Sequence, residues 1–188
     1  IVRIDPDLTL LAKITFAPPT AQLHAQLADA TNALGRLQAV ELLAKRKDKT
    51  TVEKLTNVLR NDPFYGVRIA ASRALRGIAT DATLAVLIDS VDQPNAKVRQ
   101  QVIGDIASQY KPAALGALKQ SLDSEKNPAI RARIISGLTG HDDKQARKLI
   151  DDALGSDSFR HQLADAAVSA LRKQDRPANI GKIRDALE

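Results

Sequence analysis

Three histidines are the side chains of this sequence that metal or acid–base chemistry would most readily use: His24, His141 and His161. A zinc site of the pattern H-E-x-x-H binds its metal with two histidines one helical turn apart. No two of these histidines lie within one turn, and the sequence contains no Cys that could act as a nucleophile or thiolate ligand. We therefore expect no catalytic, metal-binding or cofactor-binding residue in this chain, and we expect the histidines to be exposed or capping side chains.

Arginines recur at a nearly constant interval. Arg36, Arg68, Arg99 and Arg131 are separated by 32, 31 and 32 residues. Apolar residues follow each arginine at the third and seventh positions, which lie on one face of a helix. A fifth copy keeps the apolar positions but has Ala164 in place of the arginine. A repeat of this length predicts an array of similar helical units.

A second helix precedes each arginine-bearing helix. Segments such as TVEKLTNVLRN (51–61) and ATLAVLIDSV (82–91) place Leu and Val at helical spacing. Prolines separate the helices, because proline is tolerated in a first turn but not within a helix. These prolines are Pro63, Pro94, Pro112 and Pro128. The pattern predicts about five helical hairpins and a final helix near residues 177–187.

The hairpins resemble HEAT repeats in their short form, whose second helix reads V-R-x-x-A-x-x-x-L, as in Val67–Leu75. The resemblance covers roughly residues 20–188. It implies an all-α fold, a right-handed α-solenoid of HEAT-like helical hairpins. A short β-strand segment is expected before it, at the N-terminus.

The same resemblance implies a ladder of hydrogen bonds between neighbouring repeats, made by an Asp at the inter-helix turn and an Arg six residues on. Asp62 and Arg68 match that spacing, and Gln93 stands six residues before Arg99. We expect this structural ladder to consist of Arg36, Arg68, Arg99, Arg131, Asp62 and Glu125. The alternative is a column of phosphate-binding charges, which would require freely exposed arginines, whereas apolar core positions flank each one.

A second column lies four positions after each arginine slot and is the candidate concave surface: Val40, Ser72, Ile103, Ile135 and Val168. If these residues face the inner curve of a solenoid, they form a partly apolar groove for a partner. The same positions can instead pack against the next hairpin, and we favour packing.

Residues 1–19 do not follow the repeat. Ile1–Ile4 and Leu10–Phe16 contain β-branched and aromatic residues on either side of a turn at Asp5–Asp7, which predicts strands. Two short strands cannot bury themselves alone, so we expect residues 1–19 to be the last strands of a preceding β domain. Residues 20–188 then form the helical domain. The sequence starts without Met, and we expect it to be part of a longer or processed protein.

The phrases VRIDPDLTLLAKITF and NDPFYGVRIAASRALRGI resemble the carboxyl-terminal part of bacterial zinc metallopeptidases of the aminopeptidase N (gluzincin) type. In that family a catalytic domain precedes a small β sandwich and a helical domain. The resemblance implies that zinc and the catalytic residues belong to the parent protein, upstream of Ile1. This chain would be a non-catalytic domain that contacts the upstream domains, caps the active site and meets peptide or protein. The alternatives are a stand-alone protein-interaction scaffold and a nucleic-acid-binding module of the HEAT-like type.

Composition limits the classes of partner that the chain is expected to bind. The net charge is +6, which permits contact with nucleic acid, but aromatic residues, on which bases stack, make up only 3%. The basic runs Lys45–Lys49 and Leu171–Arg176 are predicted to be solvated loops. No apolar run approaches the roughly 20 residues of a membrane span. We therefore expect no specific nucleic acid and no membrane as partner, and a cytoplasmic location, with the periplasm as the alternative.

Overall fold

The computed structural model describes residues 5, 9–12 and 16–186. These residues form eleven α-helices and a short 3-10 turn at Phe159–His161, and none of them lies in a β-strand. The fold is all-α and of the α-solenoid class, as predicted. The helices are α1 (Thr20–Leu27), α2 (Ala33–Leu43), α3 (Lys49–Asn61), α4 (Tyr65–Ile78), α5 (Asp81–Ile88), α6 (Ala96–Ala107), α7 (Pro112–Ser124), α8 (Pro128–Leu138), α9 (Lys144–Leu154), α10 (Gln162–Lys173) and α11 (Ala178–Asp185). Among the described residues, no helix is long and apolar enough to cross a membrane.

The chain divides into two compact units, residues 1–98 and 99–188. In the first unit, α1 packs on α2 and α3 packs on α4, so each pair forms a hairpin. The second helices of the two hairpins, α2 and α4, also contact each other, and α4 contacts α5. The largest fully buried side chains of this unit come from both helices of each hairpin: Leu23, Leu43, Leu55, Leu59, Leu75 and Leu87.

The second unit repeats the arrangement. Helix α7 packs on α8 and α9 packs on α10, while α8 and α10, the second helices of successive hairpins, contact each other. Helix α11 packs on α10. The largest fully buried side chains are again aliphatic: Ile106, Leu118, Ile130, Ile134, Ile135 and Leu138. Burying each of these side chains contributes about 1.5–3 kcal/mol, so the apolar face of each helix drives the stacking.

Short polar side chains start the helices. The Asp48 carboxylate accepts a hydrogen bond from the Thr51 N–H, and the Asp143 carboxylate accepts one from the Ala146 N–H, at 2.9 and 2.8 Å. Thr80 forms a capping box with Thr83. Pro112 and Pro128 occupy the first turns of α7 and α8, as the sequence predicts. The helix boundaries therefore follow from local sequence.

The strands predicted at the N-terminus were residues 1–4 and 10–16, of which residues 1–4 and 13–15 lie outside the described residues. Leu10, Leu11, Ala12 and Phe16 are described and are not in a strand. Helix α1 begins at Thr20, the predicted start of the helical domain. The Arg46 guanidinium ties this entry to the first hairpin by donating to the Pro18 carbonyl at 2.6 Å and to the Thr20 hydroxyl. A preceding β domain stays a prediction.

Gly137 marks a close approach of α8 to α6. A Cβ added there would lie 2.6 Å from the Cβ of Ala107, which has no flexible end that could move away. We expect Gly137→Ala to push α8 from α6 and to lower the free energy of unfolding by about 1–3 kcal/mol. Gly116→Ala is the matched control in α7, because nothing lies within 4 Å of its added Cβ.

Gly116→Ala is expected to raise the free energy of unfolding by about 0.5–1 kcal/mol, since alanine is the better helix former. Urea unfolding of both variants measures the two changes. Equal stabilisation by both would show that α6 and α8 are not closely packed at Gly137.

Candidate functional site

The best-formed polar site in the first unit is built around Arg36 on α2. Its side chain is only 4% exposed. The Nε and Nη2 atoms donate to the two carboxylate oxygens of Asp62 at 2.7 and 3.1 Å. The Nη1 atom donates to the carbonyl oxygens of Asp29 and Ala30, in the turn before α2, at 2.9 and 3.0 Å. One guanidinium therefore joins the turn of its own hairpin to the turn of the next.

Asp62 is fixed from its other side as well. It follows the last residue of α3 and accepts a 2.9 Å hydrogen bond from the Phe64 N–H at the start of α4. Its side chain is as buried as that of Arg36. A buried carboxylate is tolerated when it is paired and hydrogen-bonded, as here. The short turn between α3 and α4 thus holds the acceptor for the preceding hairpin.

Arg68 on α4 occupies the next slot, but its partner is an amide. Its Nη1 donates to the Gln93 Oε1 at 3.3 Å, and the Gln93 Nε2 donates back to the Leu59 carbonyl at 3.3 Å. Arg68 Nε is buried without a hydrogen-bond partner among the described residues. This contact is longer than the Arg36 contact and lacks the second charge, so it is the weaker of the two.

Arg99 and Glu125 repeat the charged contact in the second unit. Arg99 Nε donates to Glu125 Oε2 at 2.9 Å, and the Asn127 N–H donates to Glu125 Oε1 at 2.9 Å. Burial alone would raise the pKa of Glu125, but the hydrogen bonds from Arg99 and Asn127, with the Arg99 charge, outweigh it. The pKa of Glu125 therefore lies below its ordinary value.

The series ends at Arg131. Its Nη1 donates to the carbonyl oxygens of Leu122 and Glu125, both at 3.2 Å. By the spacing of the other contacts its acidic partner would be Asp157, but that residue is exposed and no bond joins the two in the described part of the chain. The fifth copy has Ala164 and no arginine. Among the described residues, the contact with the following turn is thus made by Arg36, Arg68 and Arg99 and is missing in the two later copies.

The four arginines of the predicted ladder lie on the second helices of the hairpins, and Asp62 and Glu125 lie in the turns before α4 and α8. The pairing differs from the prediction in one respect. The first three arginines each reach the turn of the following copy, 26, 25 and 26 residues on, where the acceptor stands. Asp62 therefore serves Arg36, although the spacing of six residues would relate it to Arg68. Arg36 is too buried to contact a phosphate, so it does not belong to a column of phosphate-binding arginines.

The candidate concave surface is not a surface. Val40, Ser72, Ile103 and Ile135 are 0–3% exposed, and only Val168 is partly accessible. The burial of these four side chains agrees with packing, the favoured alternative. An accessible groove lined by this column is therefore excluded for the buried members.

Two of the three histidines differ from the expectation of exposed or capping side chains. His24 and His141 are partly buried, and the Nε2 atom of each lacks a hydrogen-bond partner among the described residues. Burial is the main cause that lowers the pKa of His141, and its ring meets the edge of the Tyr110 ring at 5.9 Å. His161 is exposed and precedes α10. Within the described residues, no group of three or more His, Asp or Glu side chains could hold a metal ion.

A feature that sequence reasoning missed is a cleft of about 430 Å³ between α9 and α11, named here the α9–α11 cleft. One wall is a face of α9, and the other follows the basic run Leu171–Arg176, which was predicted to be a solvated loop. Six of its ten lining residues are charged: Lys144, Arg147, Lys148, Asp151, Arg176 and Lys182. The α9 residues recur every three or four positions, which is the signal that could have indicated a shared charged face.

Residues 20–107 match the family described as HEAT repeats. The match covers α1 to α6 and so includes the slots of Arg36, Arg68 and Arg99. A search of curated proteins finds none that matches the chain. The match agrees with the helical hairpins and the inter-hairpin arginines of this part of the chain.

Arg36→Ala leaves the buried Asp62 carboxylate without its counter-charge, and breaking a buried pair in this way costs about 3–5 kcal/mol. Arg60→Ala is the matched control in the same unit, because Arg60 meets Asp89 at 3.9 Å and its side chain is 45% exposed. An exposed pair contributes about 0–1 kcal/mol. Chemical denaturation of both variants gives the two losses of unfolding free energy, and equal small losses would contradict a structural role for Arg36.

The lowered pKa of Glu125 predicts a pH dependence. A carboxyl group whose pKa is lower in the folded state stabilises the fold above its unfolded pKa, and that stabilisation is lost as the pH falls through the folded value. The free energy of unfolding of wild type should therefore exceed that of Glu125→Gln by about 1.5–3 kcal/mol at neutral pH, and this difference should be lost below about pH 4.

Denaturant melts across the acidic range test this prediction. The control is Glu53→Gln at neutral pH, which alters an exposed carboxylate 4.0 Å from Lys49 and should change stability by less than about 0.5 kcal/mol. A constant difference between wild type and Glu125→Gln down to pH 3 would contradict the assigned role of the Arg99–Glu125 contact.

Proposed function

We propose that this chain is a non-catalytic helical-repeat domain that serves as a protein-interaction scaffold. The observation that carries the proposal is the Arg36–Asp62 contact, which joins successive hairpins through a buried, bidentate ion pair. The HEAT-repeat match of residues 20–107 supports it, because stacked repeats of this kind present extended surfaces built from neighbouring hairpins. The buried polar side chains serve stacking, and the exposed faces are left for partners.

The finer form of the proposal assigns the chain to the carboxyl-terminal end of an aminopeptidase N-type zinc metallopeptidase. It is supported by the phrases VRIDPDLTLLAKITF and NDPFYGVRIAASRALRGI, of which the second contains Asp62 and Arg68. In this form the partners are the upstream catalytic and β domains and the peptide that reaches the active site. Zinc would be bound by the upstream domain, and the protein would work in the cytoplasm.

The scaffold is tested by direct binding. The immobilised chain is exposed to an extract of the cells that encode it, and each retained protein is purified and titrated against the chain by calorimetry. The proposal expects at least one purified protein to bind with a one-to-one stoichiometry and a Kd of about 1 μM or below, the range of specific complexes. Failure of every retained protein to bind in purified form would contradict it.

The finer form is tested by the sequence encoded upstream of Ile1. An H-E-x-x-H motif followed by a distant Glu supports the peptidase parent, because these three side chains complete a zinc site. An upstream region without that motif contradicts the peptidase parent and leaves the scaffold in place.

We expect the isolated chain not to hydrolyse aminoacyl p-nitroanilide substrates, with or without added zinc, because no two of its histidines have metal-ligand spacing. Release of p-nitroaniline is followed by absorbance. The control is the same preparation after heat unfolding and removal of the aggregate. Hydrolysis that co-purifies with the folded chain and disappears on unfolding would contradict a non-catalytic role.

A further inference from the structure

The side chains that line the α9–α11 cleft carry an excess of positive charge that their ion pairs do not neutralise. Five of its lining side chains are cationic and one, Asp151, is anionic. Lys182 donates to Asp151 at 2.6 Å across the cleft, so the two walls are already joined by a carboxylate. Leu171 lies at the floor, and the buried Asn179 holds α11 in place by donating to the Leu171 carbonyl at 3.0 Å.

The two arginines of the cleft share one acceptor. Arg147 Nη1 and Arg176 Nη2 both donate to the same oxygen, Oδ1, of Asp142, which lies at 3.2 Å from Arg176. The Asp142 side chain is 82% exposed, so this carboxylate is held only at the edge of the cleft. Each guanidinium uses one of its five N–H donors in this contact, and among the described residues no other acceptor is bonded to either.

A turn at the end of α10 sets this geometry. Asp175 adopts a left-handed backbone conformation with φ of 46°, which turns the chain after Gln174 and brings Arg176 to the mouth of the cleft. Arg176 and Arg147 are 48% and 37% exposed, so both guanidinium groups are accessible from solvent. Their planar forks suit a carboxylate bound through both oxygens.

We propose that the α9–α11 cleft binds an acidic peptide segment of a protein partner, with Arg147 and Arg176 each holding an Asp or Glu side chain of that segment. This inference rests on the scaffold function proposed above and names the chemistry of its partner. The cleft already recognises carboxylates, because Asp142 and Asp151 are bound to its cations in the free chain. A partner carboxylate can accept hydrogen bonds from one arginine through both of its oxygens. This bidentate contact is stronger than the contact of Asp142, whose single oxygen is shared by two arginines.

A peptide suits the cleft better than a nucleic acid does. None of the described residues lining it is aromatic, so bases would find no ring on which to stack. Its volume of about 430 Å³ lies within the range of about 300–1,000 Å³ that ligand sites in proteins have.

The test uses the full chain and a fluorescein-labelled octapeptide of alternating Asp and Glu, followed by fluorescence anisotropy at roughly physiological salt. Arg147→Gln and Arg176→Gln should each weaken binding about tenfold or more, the effect of one charge-assisted contact. Arg172→Gln is the matched control, because it removes the same charge from an exposed position on α10 outside the cleft and should change Kd by less than about twofold. Asp142→Asn should tighten binding several-fold, since it removes the internal competitor.

Four results would overturn the assignment. Equal losses in Arg147→Gln and Arg172→Gln would reduce the effect to net charge, and equal binding of an Asn/Gln octapeptide would remove the role of carboxylates. Tighter binding of a labelled single-stranded oligonucleotide than of the acidic peptide would assign the cleft to nucleic acid. If the cleft variants change nothing while a purified protein still binds the chain, the cleft assignment fails and the scaffold stands. If no protein binds at all, the scaffold itself fails.

Discussion

The stacking of the first hairpins depends on the hydrogen bonds of the buried Arg36 guanidinium. Its Nη1 satisfies carbonyl oxygens that the turn before α2 leaves without helical partners, and its other edge binds Asp62 in the following turn. Removing both groups from water is costly unless each finds a charged, well-aligned partner. Successive hairpins that present donor and acceptor at the same place therefore stack in one register.

Apolar packing supplies most of the stabilisation, and the polar contact supplies the register. Leu and Ile side chains bury themselves against any aliphatic neighbour, so they alone would allow adjacent hairpins to slide. The arginine contacts recur at 26, 25 and 26 residues and become weaker when the acceptor changes from Asp62 to Gln93. Where the acceptor does not reach, at Arg131, only contacts within the same hairpin remain. The exposed polar faces are then free to differ from copy to copy, as they do at the α9–α11 cleft.

Helical faces, prolines and the arginine slot could be predicted from sequence because each depends on residues within one hairpin. The pairing of Arg36 with Asp62 was harder, since it depends on how two hairpins meet and not on the spacing within one. The burial of Val40 and Ile103 was left open for the same reason: the side of a helix that meets a neighbour is not encoded in its own periodicity. The α9–α11 cleft was not predicted, because it depends on how α9, the end of α10 and α11 meet around the left-handed turn at Asp175.

A double-mutant cycle on Arg36 and Asp62 tests the account most directly. The free energies of unfolding of Arg36→Ala, Asp62→Ala and the double variant give the coupling between the two side chains without the cost of leaving either one unpaired. The account predicts that the double variant is more stable than the sum of the single losses implies, by about 2–3 kcal/mol, as expected for a buried charge-assisted contact. Losses that add to within about 0.5 kcal/mol would show that the two side chains act independently and that the arginine does not set the register of the hairpins.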